Sequence, residues 1–133
     1  MSLEGCQIKN WNLFKRKMEE LGYQEVGSSV VPYQAYKYAK KGPQQTAFSK
    51  VLNKEVDVPY VFEKRETKIK KIDRVVVFVE KGKIDQVRLK FEMQDWPYKS
   101  DLNIIYPEHR KLLPPELENL AKEIEEEVKE ALS

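Results

Sequence analysis

Two groups of residues have types and spacing that could do chemistry. Tyr33, Tyr36 and Tyr38 interleave with Lys37, Lys40 and Lys41, and Lys64, Arg65, Lys68, Lys70 and Lys71 form a basic run further along. Aromatic rings on a strand can stack bases at about 1–3 kcal/mol each while ammonium groups neutralise phosphates. If residues 33–41 form a strand, Tyr36 and Tyr38 stand on one face with Lys40 beside them. Tyr36, Tyr38, Lys40, Lys68 and Lys70 are then the candidate contacts for single-stranded nucleic acid such as RNA. Tyrosine is also an ordinary strand residue, and no RNA-recognition, KH or OB signature accompanies these. Core lining is the simpler expectation.

The second group, Asp95, Trp96, Tyr98, Asp101 and His109, mixes aromatic and ionisable side chains within one long connection, 95–113. Such connections often carry function, so these five are the candidate lining of a small-ligand pocket or enzyme site. His109 is the only histidine and hence the only candidate base for a Ser or Cys nucleophile. It lies between Glu108 and Arg110 just before a helical pattern, where a solvent-facing role is commoner. Cys6 could be activated if it sat at the amino end of a helix, but a lone thiol is more often incidental.

Other chemistries are excluded by inventory. One His and one Cys, with no HxxxH or CxxC spacing, cannot build a zinc or iron–sulfur site. Asp73, Asp85, Asp95 and Asp101 could form a carboxylate-only magnesium site, but aspartates at turns and strand ends hydrogen-bond the backbone there. Five glycines are placed so that neither GxGxxG nor GxxxxGK can be written. No catalytic set, metal or cofactor is expected, and the chain reads as a binding protein rather than an enzyme.

The bulk properties narrow the class further. The 133 residues, 41% of them hydrophobic, make one α+β domain spanning 1–133, long enough to bury its own core. Lys+Arg (24) and Asp+Glu (22) nearly cancel, so no global field drives binding to polyanions or membranes. A Lys- and Glu-rich surface suits a thermophile-like composition. The longest apolar run, Val75–Val79, is far below the roughly 20 residues that span a bilayer, and no apolar leader is visible at the amino end. A soluble, cytoplasmic protein without a membrane partner is expected. Met1-Ser2-Leu3 is assigned no structural role.

Periodicity then supplies the elements that would position these groups. Ile8, Trp11, Phe14, Met18 and Leu21 recur at helical spacing before Gly22, predicting an amphipathic helix over 8–21. Residues 23–31 and 33–40 read as extended around Pro32, 44–55 as polar without a period, and 56–63 as an edge strand containing Pro59. Arg74–Glu80 and Ile84–Gln94 flank Lys81-Gly82-Lys83 and predict a hairpin with a glycine bulge. A short strand is placed at 102–106. Pro115 opens a last helix striped by Leu117, Leu120, Ala121, Ile124, Val128 and Leu132.

These elements predict a two-layer sandwich: an antiparallel sheet of about four or five strands with an amino-terminal and a carboxy-terminal helix packed on one face. Seven glutamates against two lysines make residues 114–133 acidic, while 37–71 hold ten basic and four acidic residues. The basic segment is either a free patch or the partner of the acidic helix. Val76 and Phe78 make the second face of Val75–Val79 apolar too, and this demands a cover. Either residues 95–113 fold over it or a second copy does. The leading expectation is a non-catalytic assembly domain forming a homodimer through Val76 and Phe78. Nucleic-acid binding and a ligand site in 95–113 stand as alternatives.

Overall fold

The computed structural model describes residues 3–26, 45–95 and 99–133. Helix α1 spans Trp11–Glu20, and the Asn10 side chain caps it by accepting the Leu13 N–H at 3.1 Å. It closes at Gly22, whose φ of +98° is costly for any side chain. Ile8 has the spacing of the helix but lies outside it. Its N–H donates to the Gly82 carbonyl at 2.8 Å, Gly5 N–H donates to the Ile84 carbonyl, and Ile84 N–H donates back to Cys6. Leu3, expected to be idle, is 1% exposed within the core. Residues 3–8 thus form a strap along the sheet.

The sheet contains β1 (Gln24–Val26), β2 (Gln45–Phe62), β3 (Arg65–Glu80), β4 (Lys83–Met93) and β5 (Lys99–Asn103), antiparallel and in chain order. The expected irregular stretch 44–55 is instead the first part of β2. Asn53 sits there at φ 46°, and each of two register shifts against β3 puts two residues of β2 opposite one of β3. Two-residue links join β2 to β3 and β3 to β4. Lys81 and Gly82 both have positive φ, as do Glu63 and Lys64. This is the mirror-image turn whose twist suits a hairpin. The strand expected at 102–106 is β5, which ends at Asn103. Ile104 and Ile105 are apolar because they are buried after the strand, not within it.

Pro107–Arg110 form one helical turn, α2. A 3₁₀ turn at Pro115–Leu117 leads into helix α3, Glu118–Leu132. Phe14 and Met18 of α1, with Ala121, Ile124 and Val128 of α3, join one buried cluster with Phe48, Val75, Val77, Val87 and Leu89 of the sheet. Burying each of these side chains other than Ala121 contributes about 1.5–3 kcal/mol. A smaller cluster of Ala47, Val76 and Phe78, with half-buried Val26, lies apart from it. Among the described residues no helix is long and apolar enough to cross a membrane.

Candidate functional site

A cleft of about 830 Å³ opens between the tip of the β2–β3 hairpin and the segment leading into α3. Pro59, Tyr60 and Val61 line it from β2, Glu66, Thr67 and Lys68 from β3, Gln94 and Asp95 from the end of β4, and Lys111–Pro115 from the opposite side. The hairpin projects because β3 outruns β4. Their ladder reaches only to Ile69 and Met93, whereas β3 stays paired with β2 down to Arg65. The Lys68 carbonyl accepts the Gln94 N–H at 2.8 Å. Backbone groups of alternate residues point the same way, so those of Glu66 face past the end of β4.

The far side is held by Arg110. Its guanidinium bonds the Ile104 carbonyl at 2.9 Å and grips Glu118 at 2.5 Å, and it also pairs with Glu125, fastening α2 to α3. Hydrogen bonds donated to Glu118 outweigh partial burial and raise the guanidinium pKa, while Arg110 holds the Glu118 carboxyl below its ordinary value. Beyond this anchor Pro114 is extended at φ −59° and ψ 145°. Leu113 and Pro114 are buried, leaving Leu112 projecting. Val61, on the strand that lines the cleft, is exposed as well. Leu112 is 56% exposed and Val61 62%, whereas Tyr60 is buried and its ring packs edge-on against Phe91 at 5.5 Å.

Of the residues expected to form a ligand pocket, Asp95, Asp101 and His109 are described, and each makes its own contacts. Asp95 lies in the cleft wall and accepts from the Thr67 hydroxyl at 3.2 Å. Asp101 pairs with Arg88 at 3.1 Å on β4. His109 accepts the Asn103 N–H through Nδ1 at 3.0 Å, and the Tyr106 ring stands edge-on to it at 5.2 Å. With Nδ1 as acceptor, the neutral ring carries its proton on Nε2. The histidine joins α2 to the end of β5. Trp96 and Tyr98 lie outside the described residues.

Of the nucleic-acid candidates, Tyr36, Tyr38 and Lys40 also lie outside the described residues. Lys68 and Lys70 are exposed on β3 and share Asp57, at 3.6 and 3.1 Å. A hydrogen bond from Lys70, then the Lys68 charge, holds the Asp57 carboxyl below its ordinary value. One lysine of the basic segment, Lys50, meets the acidic α3, at Glu127 and 2.7 Å. Val76 is 1% exposed and Phe78 8% within the single chain. Among the described residues, no three His, Cys, Asp or Glu side chains gather as metal ligands.

Sequence reasoning missed Val61, Leu112 and Lys111. The Pro114-Pro115 pair was the available sign that the chain turns sharply beside them. The chain matches no protein-family model, no curated protein and no solved structure.

Proposed function

We propose that this protein is a non-catalytic binding domain that holds an extended polypeptide segment in the cleft between the β2–β3 tip and residues 111–115. The observation that carries this reading is the pair of exposed apolar residues, Val61 and Leu112, lining one cleft. Exposed aliphatic groups concentrated in a concave site mark an interaction surface more than scattered ones do. The Glu66 backbone beside them offers main-chain hydrogen bonding to an extended partner. Lys68 and Lys111 on one hand, and Glu66 and Asp95 on the other, supply a mixed polar rim.

Selection of peptides from a random displayed library on the folded protein tests this. Selected peptides should lose about tenfold or more in affinity to Val61→Glu and to Leu112→Glu, since each anchor is worth about 1–3 kcal/mol. Both side chains are largely exposed, so the melting temperature should hold. Peptides that bind both variants as well as the parent would place the binding surface elsewhere and overturn the proposal.

A further inference from the structure

On β4, Arg88, Lys90 and Glu92 alternate with the buried Val87, Leu89 and Phe91, so the three charged residues share the face away from the main core. The register sets Arg74 of β3 on one side of Lys90 and Asp101 of β5 on the other. Directly opposed residues have Cβ atoms about 4.5–5.5 Å apart, so these side chains are neighbours.

The surrounding cations are each held by a carboxylate. Arg74 donates through Nε to Asp73 at 2.9 Å, and Lys99 of β5 reaches the same carboxylate at 3.1 Å. Arg88 donates through Nη1 to Asp101 at 3.1 Å and through Nε to Gln86 at 2.5 Å. These contacts hold Arg74 through Nε and Arg88 through Nε and Nη1. They leave Nη1 and Nη2 of Arg74 and Nη2 of Arg88 without a bond among the described residues. Lys90 is the exception. Half-buried and surrounded by these groups, its ammonium has no ion pair or hydrogen bond among the described residues. Burial pushes its pKa below the ordinary lysine value, the Asp101 charge opposes this, and Arg74 and Lys99 add to it.

We propose that Lys90, Arg74 and Arg88 form a binding site for a phosphate group, either free phosphate or a phosphate monoester, on this face of β3–β5. Four cations face the site, Arg74, Arg88, Lys90 and Lys99, against three carboxylates, Asp73, Asp101 and Glu92, so an anion and not a cation balances it. Spare donors from three separate positions suit a tetrahedral oxyanion, which presents acceptors in three directions, better than a flat carboxylate. The Asp73 and Asp101 contacts orient the two guanidinium groups in advance, which lowers the ordering cost of binding. The site does not depend on the cleft or on what the cleft binds.

The test is a titration of the full chain with inorganic phosphate and with glycerol 3-phosphate, followed by NMR at the Lys90 side chain. Saturable binding should weaken about tenfold or more in Lys90→Met, the loss expected for a charge-assisted contact. It should persist in Lys9→Met, which removes an exposed lysine elsewhere. A tighter complex with glycerol 3-phosphate identifies the monoester, and equal affinity identifies the phosphate group alone. In the parent protein, saturation should raise the Lys90 pKa, because a bound anion favours the ammonium. This second reading needs no variant. An unmoved Lys90 pKa would overturn the proposal, as would equal binding by Lys90→Met and the parent.

Discussion

Lys50 and Glu127 meet at 2.7 Å where β2 contacts α3, and Tyr23 completes the contact. The Tyr23 hydroxyl donates to Glu127 at 3.4 Å, and the Lys50 ammonium lies 5.4 Å from the centre of its ring. Strand β2, helix α3 and the link between α1 and β1 are joined by one carboxylate.

Removing that carboxylate should be costly. Glu127→Met leaves the Lys50 ammonium beside a buried ring without its paired carboxylate. Losing one partner of a fully buried pair costs about 3–5 kcal/mol. Here the side chains are 25% and 24% exposed, so solvent screening reduces the expected loss to about 1–2 kcal/mol. Urea denaturation measures it. The double variant Lys50→Met/Glu127→Met should recover part of the loss, because no charge is then stranded. Equal stability of Glu127→Met and the parent would show that the pair contributes nothing.

Tyr23 gives the fold an alkaline limit. Burial, then the Glu127 charge, pushes its pKa well above the ordinary tyrosine value. A raised folded-state pKa means that the stabilisation is full below the unfolded value, about 10, and is lost as pH rises from there toward the folded value. Stability followed by urea denaturation should therefore fall above about pH 10. Tyr23→Phe should flatten that fall while changing neutral-pH stability by about 1 kcal/mol or less, given the long hydrogen bond. Parent and variant with the same alkaline profile would assign the limit to other groups.

Ser49 is 7% exposed and its hydroxyl has no hydrogen-bond partner among the described residues. It pairs in register with Val76, at the edge of the smaller apolar cluster. An unsatisfied buried hydroxyl costs about 1–3 kcal/mol. Ser49→Ala should raise the denaturation midpoint, by about 1 kcal/mol in stability. A loss of stability of that size would mean the hydroxyl has a partner after all.

The link between β2 and β3 places Glu63 at φ 48° and Lys64 at φ 66°. Both angles suit Asn and Gly better than a long side chain. The double variant Glu63→Asn/Lys64→Gly should stabilise the protein by about 1–2 kcal/mol. Thermal melting reads this directly, and an unchanged melting temperature would show the turn to be unstrained.

Both helices were legible because each has a single apolar stripe, and Phe14, Met18, Ala121, Ile124 and Val128 bury where the period puts them. Only the ends slipped. Ile8 continues the helical spacing yet bonds to the sheet, because an apolar residue one turn upstream has the same pattern in either role. The β3–β4 hairpin was legible from alternation, but the first part of β2 was not. Asn53 and two bulges break its period of two, and Lys54, Glu55 and Asp57 face water along it. The cleft was illegible for a different reason. Its walls come from residues 59–61, 66–68, 94–95 and 111–115, each unremarkable in its own stretch and joined only by the register of the sheet.

The strap bears on how the chain is made. Residues 3–8 bond to Gly82 and Ile84, and Leu3 completes a core that needs strands β2 to β4. At roughly 5–20 residues per second of synthesis, the strap leaves the ribosome several seconds before its partners exist. During that interval Leu3 and Ile8 have no native surface to cover. A fused domain that holds this segment away from the sheet would delay closure of the core, and a nascent chain arrested before Gly82 should remain open to protease at its amino-terminal residues.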